Sequence, residues 1–322
     1  MRPELEQAAA LLRQNTPEAV AEAIALLQRT VFAFSMKVCG HAEDAEDTMQ
    51  EVLMRSAPHL ARLTEANALA VWLYTVTRHR CWRMRRKPAA APAHTLSLDE
   101  LMPDEQELAA LAERATPEDA AASDEMARLV HGAVLAIPPQ YRIVLVLHDM
   151  EDLDVEQIAR VLDLKPGTVR VRLHRARLAV RRAMAARLGA PASIPRSGTG
   201  SVAGYAAGKA AGGPAKAAAK RRRPARGGVA ANQESRAARL PACREIFAQL
   251  SEFLDERLPR PDCQRMARHI DRCPNCVLFL NDLRQAIERC RSLDARCDAQ
   301  VGAALRAQLT REYLRLIAHS AA

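Results

Sequence analysis

The chain is 322 residues long, carries a formal net charge of +9 and has only 3% aromatic residues. That length favours two or three domains, and a composition dominated by alanine, leucine, arginine and glutamate, with only short β-branched runs, points to an all-α protein. No uninterrupted run of about 18 apolar residues occurs, and the opening MRPELEQ lacks a charged-then-apolar signal design, so neither a membrane span nor export is expected. We expect a cytoplasmic protein whose eight cysteines are thiols or metal ligands rather than disulfides.

The charge is unevenly placed. Residues 189–240 hold ten Lys/Arg and one acid, Glu234, which leaves 37 basic and 37 acidic residues for the rest of the chain. The high isoelectric point therefore belongs to one low-complexity segment and says little about the folded parts. Clustering inside a folded part is what counts.

Residues 1–87 form the first expected domain. Val20, Ile24, Leu27, Val31, Phe34 and Val38 recur at three- and four-residue steps, as an amphipathic helix requires. Further on, Asp44, Asp47 and Glu51 share a helical edge with Gln50 and Arg55 nearby; this is either an ordinary solvated face or a contact for a basic partner. Trp72, Tyr74 and Trp82 are then interleaved with Arg78, His79, Arg80, Arg83, Arg85 and Arg86. Aromatics among cations suit single-stranded DNA, where bases stack and phosphates are neutralised. Trp72 and Tyr74 would serve equally as core residues.

Residues 88–125 turn Pro/Ala-rich and acidic and read as a mostly extended tether with one short helix at 104–114. Residues 126–188 are helical again and contain the most informative stretch, KPGTVRVRLHRARLAVRR at 165–182, with seven basic residues and no acid. Asp154, with Gln157 three residues later, has the pattern of a capping box, and Val155, Ile158, Ala159 and Leu162 give the helix it starts one apolar face. Pro166 suits the first turn of the next helix, on which Val169, Leu173, Ala176 and Val180 share a quadrant. A capped helix, a short turn and an arginine-bearing helix make a helix-turn-helix, which lays its second helix in the major groove of DNA. The plain alternative is a solvated basic helix. Residues 189–238 are expected to be disordered, since they cannot bury enough apolar surface to offset ordering entropy; GYAAGKA at 204–210 is one residue short of a phosphate-binding loop.

Residues 239–322 form the last expected module. Cys243, His269, Cys273 and Cys276 supply an imidazole and three thiolates, a tetrahedral set suited to Zn2+, with Cys263 as an alternate to Cys243. A structural zinc ion can contribute on the order of 10–16 kcal/mol to so small a module. Cys290 and Cys297 are expected to be buried rather than ligating. A closed Cys3His set leaves no open position for a hydrolytic water and no other catalytic constellation is present, so an enzyme is not expected.

The segment IPPQYRIVLVLHDMEDLDVEQIARVLDLKPGTVRVRLHRARLAVRR resembles region 4 of extracytoplasmic-function sigma factors, the promoter-recognition subunits of bacterial RNA polymerase. HAEDAEDTMQEVLMRSAPHL resembles region 2.2, and ALAVWLYTVTRHRCWRMRRK resembles regions 2.3 and 2.4. The cysteine module, including LSEFLDERL, resembles the zinc-binding anti-sigma domain. One departure is Lys165, where the family often has a helix-capping serine; the helix start would then be looser or capped by Thr168.

The resemblance implies partners and roles. Asp44, Asp47, Gln50, Glu51 and Arg55 would contact core polymerase. Trp72, Tyr74, Arg78, Arg80, Arg83, Arg85 and Arg86 would hold the melted −10 element. Lys165, Thr168, Arg170, Arg172, His174, Arg175 and Arg177 would bind the −35 element. The zinc module would contact the sigma domains within the chain and restrain them, or sense oxidation or metal loss; a tether of about 50 residues gives an effective concentration near millimolar. The tail 301–318, with Leu305, Leu309, Tyr313 and Leu316 on one side, would belong to that contact or close the module's own core. The alternative is a polymerase-independent helix-turn-helix regulator whose zinc module mediates oligomerisation; the region 2 resemblance argues against it.

Overall fold

The structure is a computed structural model that describes residues 2–60, 63, 65–84, 96–101, 123–188, 239–293 and 303–320. Every regular element among them is helical, as the all-α reading expects. The expected helix at 104–114 and the segment 189–238 lie outside the described residues.

The first unit comprises α1 (Pro3–Leu12), α2 (Pro17–Cys39), α3 (Ala42–Leu60) and α4 (Ala66–Met84). Helix α1 falls before the periodicity visible in the sequence. Pro3 opens it, Glu4 and Glu6 complement the helix dipole, and Leu5, Ala8, Ala9 and Leu12 are buried on one face. Helix α2 is the central rod, capped by Thr16 and ended by Gly40. It is long and apolar enough by composition to cross a membrane, yet 72% of its most apolar window is buried within the protein. Its hydrophobicity is that of a core helix wrapped by α1, α3 and α4. Gly40 is required twice: its φ of 84° favours glycine, and an added Cβ would lie 2.6 Å from Leu135 of a later helix.

The tether is not wholly extended. A short helix, α5 (Leu98–Leu101), buries Leu101 against the second unit, and the Leu96 amide donates to the Tyr141 hydroxyl at 3.1 Å. That second unit comprises α6 (Ser123–Ala136), α7 (Pro139–Leu145) with a π-helical turn at Val146–Met150, α8 (Val155–Leu162) and α9 (Pro166–Arg187). The capping box forms as the sequence suggests, with Asp154 accepting from the Gln157 amide and Gln157 accepting from the Asp154 amide. Asp163 takes the left-handed conformation that ends α8 and makes the tight turn. Helix α9 starts without a side-chain cap at Lys165. Pro166 makes this tolerable, because its missing N–H is one donor fewer to satisfy.

The first two units close on each other through polar groups as well as apolar ones. Lys37 donates to Glu151 at 3.0 Å, the Tyr74 hydroxyl donates to the same carboxylate at 2.7 Å, and Arg2 lies 3.0 Å from it. Lys37, Tyr74 and Glu151 are at most 1% exposed. Burial, followed by the Glu151 charge, raises the Tyr74 pKa well above that of an ordinary tyrosine, which keeps it a donor. Arg142 donates to the Val38 and Ile137 carbonyls, and Gln157 donates to Asn67 at 2.7 Å.

The third unit comprises α10 (Arg239–Leu254), α11 (Arg260–Ile270) and α12 (Pro274–Arg291), around Phe247, Met266, Phe279 and Leu283. A last helix, α13 (Ala303–Ser320), packs on α2 and α3 of the first unit rather than on α10–α12. Among its described side chains Leu309, Thr310 and Tyr313 are buried, and the Tyr313 hydroxyl donates to the Leu12 carbonyl at 3.3 Å; the side chains of Leu305 and Leu316 lie outside the described residues.

Candidate nucleic-acid interface and metal centre

Helix α9 carries the candidate DNA-binding residues of the second unit. At 100° per residue, Val169, Leu173, Ala176 and Val180 mark the meridian that faces its core, and all are at most 2% exposed. The opposite side divides in two. Toward the N-terminus, Lys165, Pro166, Gly167, Thr168 and Val171 are exposed, with Arg170, Arg172 and Arg175 half-buried. Toward the C-terminus, His174, Arg177, Leu178 and Arg181 are buried, and α10 and α12 pack there.

Each covered polar residue has a partner in the third unit. His174 Nδ1 lies 2.9 Å from the Ser251 hydroxyl. Arg177 holds Asp255 through two nitrogens at 2.9 Å each, and Arg181 pairs with Asp282 at 2.9 Å while its guanidinium stands 4.5 Å over the Phe279 ring. Arg177 also reaches Asp149 of the π turn at 2.6 and 2.9 Å, and His148 lies against both. Burial alone would raise the Asp149 carboxyl; the Arg177 and His148 contacts outweigh it and hold the pKa far below the carboxylate range. Arg177 is raised despite its burial, because two carboxylates face it. His174 is the opposite case, lowered to about 4 by burial and by Arg177 and Arg175.

Arg177 and His174 therefore leave the exposed −35 set in this arrangement. Arg177 is 0% exposed, tying α9 to the π turn on one side and to α10 on the other. Thr168 is exposed and does not cap the helix.

The −10 candidates are similarly sorted. Tyr74 is a core residue, its ring tilted against that of Phe34 at 4.9 Å between centroids, the alternative that its aromatic neighbours left open. Trp72 is half-buried, with its ring 5.0 Å from that of His59. Arg78 donates to the Leu162 carbonyl at 3.1 Å, and Arg80 pairs with Glu51 at 2.7 Å. Arg85 and Arg86 lie outside the described residues, as does the side chain of Arg83. On α3, Asp47, Gln50 and Arg55 are exposed, Asp44 is half-buried, and Glu51 bridges Arg55 and Arg80.

In the third unit, Cys243 on α10, His269 near the end of α11, Cys273 and Cys276 bring their ligand atoms within 4.8 Å of one another. Cys243 Sγ lies 3.7 Å from Cys273 Sγ and 3.6 Å from His269 Nε2. Zinc bond lengths of about 2.3 Å to sulfur and about 2.0–2.1 Å to nitrogen imply tetrahedral edges of about 3.8 and 3.6 Å, so the set is compatible with zinc. Burial opposes ionisation of Cys273, yet contacts from Cys276, Cys243 and the Asn275 amide bring its pKa below the usual thiol value. Cys276 is pushed far up by burial and by its neighbour Cys243. Such crowding of thiolates is what a divalent cation relieves. Cys263 is half-buried and outside this cluster, and Cys290 is buried as expected. Cys297 lies outside the described residues.

Comparison with known proteins agrees with this layout. Residues 23–90 match the Sigma-70 region 2 family, residues 127–180 the Sigma-70, region 4 family, and residues 243–276 the "Putative zinc-finger" family. Over 174 residues, 53% of this chain and 91% of the relative, it is 25% identical to the ECF RNA polymerase sigma factor SigW of Bacillus subtilis. It is 29% identical over 166 residues to the RNA polymerase sigma-H factor of Pseudomonas aeruginosa, covering 49% of this chain and 81% of that one. To the ECF RNA polymerase sigma-E factor of Escherichia coli it is 26% identical over 141 residues, 42% and 72% of the two chains.

A region 2 bundle followed by a region 4 helix-turn-helix defines a sigma factor of the sigma-70 class. Within that class, the chain is similar to the extracytoplasmic-function sigma factors, and a match to the "Putative zinc-finger" family, of the anti-sigma-like kind, follows region 4.

Proposed function

We propose that the chain directs core RNA polymerase to promoters through regions 2 and 4, and that its zinc-finger unit restrains this activity in cis. Its partners would be core polymerase, met by the exposed edge of α3 around Asp44, Asp47, Gln50, Glu51 and Arg55, and promoter DNA. Arg170, Arg172 and Arg175 with Lys165 and Thr168 would read or grip the −35 element. Trp72 and Arg78, Arg80, Arg83, Arg85 and Arg86 would serve the −10 element. The proposed setting is the cytoplasm, where the chain performs no catalytic step of its own.

The observation that carries the brake is the burial of His174, Arg177 and Arg181 under α10 and α12. A recognition helix half-covered in this way cannot settle into a major groove about 12 Å wide. Helix α13 adds a second hold on region 2, next to the proposed polymerase-binding helix. Cys243, His269, Cys273 and Cys276 would hold Zn2+ as a structural ion that fastens α10 to α11 and α12. Loss of the ion, by chelation or by oxidation of its thiolates, would then loosen the surface that carries Ser251, Asp255 and Asp282.

Run-off transcription with core polymerase tests the reading. A chain ending at residue 238 should initiate more strongly than the full chain, and Cys243→Ser should approach the truncated level. Equal activity of all three, with and without oxidant, would refute the brake while leaving the sigma assignment standing.

A further inference from the structure

Among the described residues of the helix-turn-helix unit, Val171 is the most exposed large apolar side chain, at 51%. Single exposed aliphatic residues are common on protein surfaces; what distinguishes this one is its position. It lies about 170° around α9 from the centre of the Val169, Leu173, Ala176 and Val180 face, at the helix's outermost meridian. Leu178 occupies the same meridian two turns later and is 0% exposed, in the stretch of α9 whose Arg177 and Arg181 meet the zinc-finger unit. Val171 lies beyond that stretch.

Its neighbourhood is built for a polyanion. Arg170 and Arg172 flank it in sequence, Thr168 lies one turn before it and Arg175 one turn after it. The side of the first turn is open, since an added Cβ on Gly167 would meet nothing within 4 Å. A β-branched residue is also a poorer helix former than alanine or arginine, so helix propensity does not explain a valine there. The major groove displays a single apolar group, the 5-methyl of thymine, and apolar side chains on the N-terminal part of a recognition helix meet it.

We infer that Val171 is a specificity-determining residue that packs on a thymine methyl of the −35 element. It would supply sequence preference that the surrounding cations do not when they contact phosphate, Arg170 among them lying 3.5 Å from the exposed Glu156 carboxylate. This rests on the reading that α9 enters the major groove at the −35 element.

The test uses holoenzyme assembled from core polymerase and the full chain, with a Cys243→Ser chain in parallel so that a zinc-dependent brake does not mask binding. The −35 element is selected from randomised duplexes, and each of its thymines is then replaced singly by deoxyuridine, which removes only the methyl. One such replacement should weaken wild-type binding about fourfold, the effect of exposing one methyl-sized group. Val171→Ala should bind the thymine and deoxyuridine duplexes equally at that position and keep its preferences elsewhere. If no thymine is methyl-sensitive in the wild type, or if Val171→Ala keeps the same sensitivity, the assignment to Val171 is overturned. Failure of the wild type to select any −35 element would overturn the groove reading of α9 and this inference with it.

Discussion

The docked position of His174 should make the packing of α10 on α9 dependent on pH. The ring is 9% exposed; Nδ1 is engaged with Ser251, and Nε2 is buried without a hydrogen-bond partner. Arg175 and Arg177 approach from its own helix. Asp255, on α10, is engaged by Arg177, as are Asp149 and His148 of the π turn. An imidazolium there would bury an N–H with no acceptor beside a guanidinium, so the docked ring is held neutral and its pKa falls from 6.5 to about 4. The docked state therefore favours the unprotonated ring. Its contribution is fully present above pH 6.5 and is lost as pH falls from there toward 4. A 2.5-unit difference corresponds to about 3 kcal/mol at full protonation, and between pH 7.5 and 5.5 it weakens docking about tenfold.

Hydrogen exchange on the zinc-loaded full chain, corrected for the pH dependence of intrinsic rates, reads this directly. Protection of the amides of α10 and of the second half of α9 should fall about tenfold between pH 7.5 and 5.5. His174→Phe fills the same space without titrating and should remove that fall. Acid also protonates metal ligands, and any drop due to zinc loss would appear in both chains. An equal fall in wild type and His174→Phe would refute the argument.

Two further outcomes follow from the polar clusters. Cys243→Ser, Cys273→Ser and Cys276→Ser should each lower the zinc bound per chain and the thermal stability of the third unit, whereas Cys263→Ser should leave both unchanged; metal analysis and calorimetry distinguish these cases. Glu151→Ala should cost about 3–5 kcal/mol in urea unfolding, because it removes the carboxylate that faces the buried Lys37 ammonium. A loss under about 1 kcal/mol would mean that the two sigma units simply part and hydrate Lys37.

The parts legible in the sequence are those whose signals are local. Asp154 and Gln157 are three residues apart, Pro166 sits at a helix start, and His269, Cys273 and Cys276 fall within one turn-and-cap motif. Helix α1 carries signals of the same local kind, with Pro3, Glu4, Glu6 and the Leu5–Leu12 face, but precedes the long periodic stretch that begins at Val20. Tyr74 and Arg177 are different. Their partners Glu151 and Asp255 lie 77 and 78 positions away, and no periodicity reports a pairing at that distance. In α13 the apolar stripe shows which side is buried, while only the fold shows that α2 and α3 bury it.

Closure of region 2 on region 4 through Lys37, Tyr74 and Glu151 bears on how the protein searches a genome. A bacterial chromosome presents millions of competing nonspecific sites to any cationic helix, and each one occupied withdraws a molecule from its proper target. While the two reading surfaces remain folded together, they cannot span elements separated along a duplex. Under the proposed function, the free factor would therefore stay largely unbound to chromosomal DNA until polymerase draws its halves apart.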